Sequence, residues 1–330
     1  MSDSLWYSFA IAAEARMPPQ PIHLIRDDLE FIAGRALQTP IRSCAALDAV
    51  TGRTIFIKDE TVQYGGSFKF RGAILGTRNA ERGVVAAGAG NFPIAVGLAA
   101  QALDKPACLI MPADVAAFKR EQARKTGAEI KIVERSELVD CARMEAHRRG
   151  WRNLHAFEDV EMIAGSFTVG SEIAAAIQAS GPASDAVIVA CGGGGLAAGV
   201  ALALRSWSIS AAIYVAEPQT HQRYARAREI GVPIRIDPPG DTLCDALRSR
   251  QIGVRAFEIL QWSNVQVCAV SDELVQYAAR LLLETCSIRA EPSGALAMAA
   301  VLGGVVDREQ SRVWVIACGG NVPSPDREGL

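Results

Sequence analysis

The 330-residue chain has few of the residue patterns that mark disulfide-rich and metal-binding proteins. It has only four histidines, and its cysteines include no Cys-x-x-Cys pair. A chain of this length does not need disulfide staples, so its thiols indicate a reducing, cytoplasmic compartment. No cluster of His, Cys and Asp stands at ligand spacing, and we therefore predict no metal site. The eight cysteines are Cys44, Cys108, Cys141, Cys191, Cys244, Cys268, Cys286 and Cys318.

Charge and hydropathy exclude two further classes. The formal net charge is −2 and no basic run is present, so nucleic-acid binding has little support. No uninterrupted apolar stretch reaches the roughly 20 residues that span a bilayer. The first 17 residues contain Asp3 and no basic start, which is not typical of a signal peptide. We expect a soluble protein without a membrane or nucleic-acid partner.

The order of apolar and polar segments predicts an α/β fold. Short apolar runs such as 107–111, 186–190 and 313–317 alternate with helical patterns, which is typical of parallel or mixed sheets flanked by helices. An irregular stretch at 150–155 suggests a boundary. We predict a smaller domain at 52–156 and a larger one made of 1–51 plus 157–330.

Lys69 is the most informative single residue. A lysine amine forms a Schiff base with a carbonyl when desolvation or a neighbouring cation activates it. Phe68 and Phe70 would supply apolar walls, and Arg71 a nearby cation. Taken alone, Lys69 is better interpreted as a solvated lysine at the start of a helix, and two further segments change that interpretation.

Four consecutive glycines, Gly192 to Gly195, stand between a predicted strand and a predicted helix. Without side chains, backbone N–H groups can converge on an anion at a helix N-terminus. The spacing is neither the dinucleotide fingerprint nor the nucleotide P-loop. The alternative interpretation is a tight strand–helix turn, but so many glycines cost backbone entropy, and we favour phosphate binding.

A third loop, 317–321, also follows a buried strand, at the sheet edge where α/β proteins bind ligands. A reactive lysine, a phosphate cup and this loop are what a pyridoxal phosphate enzyme requires. The segment Lys58-Asp59-Glu60-x-x-Gln63-x-x-Gly66-Ser67-Phe68-Lys69-x-Arg71-Gly72-Ala73 resembles the signature of the fold-type II pyridoxal phosphate family, in its threonine/serine dehydratase and serine racemase branch. Segments 165–170, 217–218 and 291–295 also resemble family motifs.

The resemblance implies a tryptophan-synthase-β-like fold, pyridoxal 5'-phosphate, an amino-acid substrate and a homodimer. It makes Lys69 the residue that holds the aldehyde and moves protons, with Phe68 beside the ring. Asn91 would bind the ring hydroxyl, and Gly192, Gly193, Gly194 and Gly195 the phosphate. Cys318 would face the pyridine nitrogen as a neutral partner. The implied substrate contacts are Ser67, Ala89, Gly90, Asn91 and Phe92.

Three positions depart from the family pattern. Ala89 stands where the racemases carry a serine that acts as the second acid/base, so elimination by Lys69 is favoured over racemisation. Phe92 replaces a histidine, either as packing or to shape a pocket for a bulkier substrate. Beside Glu217, Arg223 occupies the region of a family cation site, and we predict no metal there.

We therefore predict a lyase that converts a β-hydroxy-α-amino acid, serine- or threonine-like or bulkier, into a 2-oxo acid and ammonia. One alternative keeps the cofactor but performs racemisation or β-replacement. A second is a catalytically degenerate homologue that binds amino acid or cofactor without turnover.

Overall fold

The computed structural model describes residues 25–237 and 240–323, and the predicted N-terminal tail lies outside them. The described helices are α1 Arg26–Ala33, α2 Ala45–Thr51, α3 Lys69–Arg78, α4 Asn91–Ala102, α5 Ala117–Lys125, α6 Leu138–Arg149, α7 Val160–Ala179, α8 Gly195–Ser206, α9 Arg223–Ile230, α10 Val254–Trp262, α11 Asp272–Cys286 and α12 Pro292–Leu302. The described strands are β1 Ile41–Ser43, β2 Thr54–Asp59, β3 Val84–Ala87, β4 Ala107–Pro112, β5 Glu129–Val133, β6 Arg152–Leu154, β7 Asp185–Ala190, β8 Ala212–Pro218, β9 Gln266–Val270 and β10 Arg312–Ala317.

The larger sheet has six strands in the order β1-β2-β10-β7-β8-β9. All neighbours run parallel except β1, which pairs antiparallel with β2. The central strand β7 is buried along its whole length, which explains its run of Val, Ile and Ala. The carboxyl ends of β7 and β10 lead directly into the two glycine-rich loops. The predicted α/β class with parallel and mixed sheets is confirmed.

The smaller sheet has four parallel strands in the order β5-β4-β3-β6. All four lie inside the range 52–156. Strand β2 falls in the same range, yet its pairing with β10 places it in the larger sheet. Hydrogen bonds between segments far apart in the chain thus determine the sheet to which β2 belongs. The division of the chain into two domains stays a prediction.

Helices α3 and α7 cross at very close range. A Cβ on Gly165 would lie 2.2 Å from the backbone nitrogen of Gly72, so only glycine fits at this crossing. Helix α7 is long and apolar enough to cross a membrane, but 83% of its apolar window is buried inside the fold. It is a core helix that carries α3, and with it Lys69.

Helix α9 begins at Arg223, five residues after β8 ends. The carboxylate of Glu217 accepts hydrogen bonds from the backbone N–H groups of Tyr224 and Ala225 at 2.9 and 3.0 Å. A carboxylate there satisfies two of the free donors of a helix start, which fixes the start at this point.

Candidate active site

One cavity of about 300 Å³ opens where the two glycine-rich loops face the segment around Asn91. Eleven of the twelve site residues proposed from the sequence line it. They are Phe68, Lys69, Ala89, Gly90, Asn91, Phe92, Gly192, Gly193, Gly194, Gly195 and Cys318. The fold therefore brings together residues that are up to 250 positions apart in the chain.

Ser67 is the exception, because it is absent from the cavity lining. Its side chain is buried and its Oγ has no hydrogen-bond partner. Its backbone instead bridges to Gly319, and Phe68 N–H donates to the Cys318 carbonyl oxygen at 3.2 Å. Ser67 thus joins the lysine segment to the loop after β10, and its hydroxyl remains a candidate substrate contact only by resemblance.

Lys69 is the first residue of α3, and its amine projects into the cavity. Its Nζ donates to the carbonyl oxygen of Ala156 at 2.7 Å and lies 4.8 Å from the centroid of the Phe68 ring and 5.9 Å from that of Phe92. Desolvation lowers the pKa of Lys69 to about 8, partly opposed by Cys318. A sizeable neutral fraction near pH 7 makes this amine a nucleophile and a base.

Two neighbours of Lys69 do not have the positions expected from the sequence. Phe70 packs edge-on against Tyr64, with ring centroids 5.1 Å apart, and Phe92 supplies the second ring near Lys69. Arg71 is no activating cation for Lys69, because its guanidinium binds the buried carboxylates of Glu60 and Glu172. Desolvation alone therefore carries the lowered pKa of Lys69.

The four glycines form a cup at the start of α8. In the described part of the chain, the N–H groups of Gly192, Gly193, Gly194 and Gly195 donate to no protein acceptor. A Cβ on Gly193 would lie 2.2 Å from the Phe157 ring, and Gly194 has φ +89°. Unpaired donors at a helix N-terminus suit a phosphate.

Asn91 is held on both sides of its amide. Its Nδ2 donates to Glu291 Oε1 at 2.5 Å, and its Oδ1 accepts from Asn321 Nδ2 at 2.8 Å. The other oxygen of Glu291, Oε2, is buried without a hydrogen-bond partner. Burial raises the pKa of Glu291 to about 7, while Lys119 opposes the shift. Glu291 Oε2 is therefore an acceptor at the cavity wall that can bind a further hydrogen-bond donor.

Cys318 begins the loop after β10, with its side chain buried at the cavity wall. Burial raises the pKa of its thiol far above the usual range, so the thiol is neutral near pH 7. Its Sγ donates weakly to the Ser293 carbonyl oxygen at 3.5 Å. A neutral, weakly polar group is what the sequence predicts at this position.

Five charged residues that line the cavity were not proposed as site residues from the sequence: Lys119, Arg135, Asp245, Arg248 and Glu291. Lys119, from α5, places its buried Nζ 2.5 Å from Asp245 Oδ2 and 3.7 Å from Glu291 Oε2. Arg248 lines the cavity from the segment before α10. The charged sequence around Lys119 predicts a solvent-exposed helix. No local pattern indicates that the Lys119 amine lies beside Gly90.

Arg223 and Glu217 are both fully buried, with Arg223 Nε 3.9 Å from Glu217 Oε1. Arg223 Nη1 donates to Ser249 Oγ at 3.2 Å, and Nη2 donates to the His221 carbonyl oxygen at 2.6 Å. Among the described residues, no group of three or more His, Cys, Asp or Glu side chains could hold a metal ion. The Arg223 guanidinium, held by these hydrogen bonds, thus lies beside the Glu217 carboxylate.

Residues 32–319 match the family described as "Pyridoxal-phosphate dependent enzyme". The chain belongs to this family. The resemblance inferred from the lysine and glycine segments is confirmed, together with the cofactor.

Similar proteins support the same branch of the family. The enzyme is 32% identical to an L-threo-3-hydroxyaspartate ammonia-lyase from a Pseudomonas species, over 89% of this chain and 92% of that one. It is 32% identical to an L-threonine ammonia-lyase from Thermotoga maritima, over 86% and 71%. A crystal structure of a T.th. threonine deaminase superposes with a TM-score of 0.85 at 34% identity, covering 91% and 99%. Maize serine racemase gives 0.84 at 29%, covering 90% and 92%.

The residues of the cavity fit pyridoxal phosphate. Lys69 offers an amine of lowered pKa to the aldehyde. The unpaired glycine amides face the cavity at the start of α8, where a phosphate is stabilised. Asn91 and the neutral Cys318 supply polar groups for the ring, and Phe68 an apolar face. These four roles follow from the resemblance and the cavity together, and they stay proposals for the individual residues.

Proposed function

We propose that the enzyme is a dehydratase that converts a β-hydroxy-α-amino acid into a 2-oxo acid and ammonia. The observation that carries the proposal is the joint placement of the Lys69 amine and the unpaired glycine amides in one cavity, beside a wall without a hydroxyl at position 89. Bound pyridoxal phosphate supplies an electron sink for the substrate Cα. The protein then has to supply a base, an anion site and exclusion of water.

Lys69 is the base that removes the proton from the substrate Cα. Its lowered pKa keeps part of the amine neutral near pH 7, and a base is most effective when its pKa lies near the working pH. The rings of Phe68 and Phe92 shield the amine from water. Once the β-hydroxyl leaves as water, the remaining enamine hydrolyses to the 2-oxo acid and ammonia.

Ala89 favours elimination over racemisation. Inverting Cα requires a second proton donor on the face opposite Lys69. Ala89 and Phe92 carry no transferable proton, and the ammonium of Lys119 is engaged by Asp245 at 2.5 Å. Elimination needs only the one base that Lys69 provides.

An acidic substrate is a second candidate. Arg248 lines the cavity, and in the described chain its guanidinium has no carboxylate partner; Nη2 donates to the Thr242 carbonyl oxygen at 2.9 Å. A guanidinium without a carboxylate partner at a cavity mouth suits a second substrate carboxylate. Relatives from a Pseudomonas species and Saccharomyces cerevisiae are named L-threo-3-hydroxyaspartate ammonia-lyases.

The experiment is a substrate panel for the purified, cofactor-loaded enzyme. L-Serine, L-threonine, L-threo-3-hydroxyaspartate and phenylserine are incubated separately, and 2-oxo acid and ammonia are measured in parallel. We expect equimolar products from at least one substrate and none from Lys69→Ala. Arg248→Met should raise KM for hydroxyaspartate but not for threonine if the carboxylate binds there.

Other outcomes identify the alternatives. Formation of the opposite enantiomer without ammonia would indicate a racemase. Turnover only when a nucleophile is added would indicate a β-replacement synthase. A loaded protein with no product from the whole panel would contradict the proposal and favour a degenerate homologue.

We also propose an oligomeric state and a cellular location for the enzyme. A homodimer in the cytoplasm, acting on a small amino acid without nucleic-acid or membrane partners, is supported by the family resemblance and the absence of disulfide pairing in the sequence pattern. Sedimentation of the loaded enzyme tests the dimer, and a mass of one protomer would contradict it.

A further inference from the structure

Two cysteines outside the cavity lining both contact Thr285. Cys44 lies between β1 and α2, and Cys286 is the last residue of α11, 242 positions later. Cys44 Sγ donates to the Thr285 carbonyl oxygen at 3.5 Å, and Thr285 Oγ1 lies 3.2 Å from Cys286 Sγ. Thr285 therefore contacts both thiols, which places them beside each other. Neither takes part in the proposed reaction.

Both thiols are partly exposed, whereas Cys108, Cys191, Cys244 and Cys318 are buried. A solvent-borne oxidant therefore reaches this pair more readily than the four core cysteines. Cys141 and Cys268 are also partly exposed. Cys268 Sγ contacts the Val215 carbonyl oxygen at 3.6 Å. Cys141 serves below as a comparison thiol.

The two thiols differ in acidity. Burial raises the pKa of Cys44, but the Cys286 thiol, the backbone N–H groups of Leu47 and Ala46, and Thr285 together lower it below the usual value. Burial raises the pKa of Cys286 to about 11. A more acidic thiol beside a less acidic one is the arrangement of an attacking and a resolving cysteine.

We propose that Cys44 and Cys286 form a redox-sensitive pair, which a peroxide converts into an intramolecular disulfide. The Cys44 thiolate attacks one oxygen of hydrogen peroxide and the O–O bond breaks. Hydroxide leaves, and Cys44 becomes a sulfenic acid. The Cys286 sulfur then attacks the Cys44 sulfur, and the sulfenic oxygen leaves as water. In sum, two thiols and one peroxide give one disulfide and two waters.

The test uses the cofactor-loaded enzyme treated with hydrogen peroxide, alkylated and digested with trypsin without reduction. Cleavage after Arg42, Arg53, Arg280 and Arg289 gives peptides 43–53 and 281–289, each with one cysteine. We expect these two peptides joined by a disulfide in the monomeric band of a non-reducing gel. The linked species should disappear on reduction and persist in the matched control Cys141→Ser.

Single variants test the order of attack. Cys44→Ser should give no linked peptide. Cys286→Ser should retain a sulfenic acid on Cys44 that a dione reagent traps, with a yield several-fold above that in the wild type. Circular dichroism checks that both variants fold.

Two results would overturn the proposal. One is the absence of the linked peptide at peroxide concentrations that already oxidise Cys44 to sulfinic acid. The other is a disulfide that joins Cys44 or Cys286 to any other cysteine or to a second chain.

Discussion

Arg71 Nη1 and Glu172 Oε1 lie 2.6 Å apart in the buried layer between α3 and α7. Arg71 also binds Glu60 Oε1 at 2.7 Å, and Lys58 donates to Glu172 and, at 2.5 Å, to the Thr39 carbonyl oxygen. This network joins β2, α3 and α7. Its two cations and two carboxylates are buried and balance each other in charge.

Arg71→Met should lower the free energy of unfolding by about 3–5 kcal/mol, because it removes a guanidinium that pairs with two buried carboxylates and leaves them with Lys58 as their only cation in the network. Urea unfolding of the loaded enzyme measures the change. Arg143→Met is the matched control: Arg143 pairs with Asp140 on the surface, where loss of an ion pair costs about 1 kcal/mol or less. Equal effects of the two variants would contradict a structural role for the buried network.

The rate of cofactor uptake should rise with pH and level off above a midpoint near pH 8. Only the neutral amine of Lys69 attacks an aldehyde, and desolvation lowers its pKa to about 8. Below the midpoint the neutral fraction changes about tenfold per pH unit. Stopped-flow absorbance of the cofactor-free protein mixed with pyridoxal phosphate gives the profile. A midpoint near the ordinary lysine value would show that the cavity does not perturb Lys69.

Gly193→Ala should weaken cofactor binding by about tenfold or more, since overpacking costs roughly 1–3 kcal/mol. The new methyl group would lie 2.2 Å from the Phe157 ring, in the wall of the glycine cup. Equilibrium titration of the cofactor-free protein measures the affinity. The control is Gly34→Ala, where the nearest atom to the new Cβ is 3.5 Å away and binding should not change.

Glu291→Gln should remove a pH dependence of stability in the cofactor-free protein. Burial raises the pKa of Glu291 to about 7, with Lys119 opposing and Asp245 adding to the shift. The native state therefore binds the proton more tightly than the unfolded state, and this contribution to stability is lost as the pH rises from about 4.5 to 7. The loss amounts to about 3 kcal/mol by linkage.

The measurement is urea unfolding of wild type and Glu291→Gln across that pH range, read as the difference between them. We expect the two curves to diverge in slope below pH 7 and to run parallel above it. Parallel curves throughout would mean that Glu291 is ionised in the fold like an ordinary carboxylate.

The lysine and glycine segments could be recognised from the sequence because each is local. Lys69 stands in a contiguous signature, and four glycines in a row have few structural uses. The position of Arg71 could not be judged in the same way. Residues two apart on a helix do not share a face, so once Lys69 begins α3 and faces the cavity, Arg71 faces α7. The expected activating cation depended on closeness in sequence and was wrong.

Charged groups of the cavity were missed for a different reason. Lys119, Asp245 and Glu291 come from three segments with more than 40 residues between neighbours, and each looks solvated in its own segment. Only the packing of α5 against the segments before α10 and α12 brings the Lys119 amine within 4 Å of both carboxylates. Tertiary packing likewise brings Cys44 and Cys286 together, and no local sequence pattern indicates it.

By itself the sequence determined the α/β class and the cofactor, because strand–helix alternation and the lysine and glycine motifs lie in contiguous residues. It also predicted Lys69 and the four glycines as site residues, which stay predictions in their individual roles. Tertiary structure alone decided which charges meet. It placed β2 in the larger sheet, buried Arg71 between carboxylates, brought Lys119 to the cavity and paired Cys44 with Cys286. Contacts between segments far apart in the chain depend on how whole elements pack, and no local pattern encodes them.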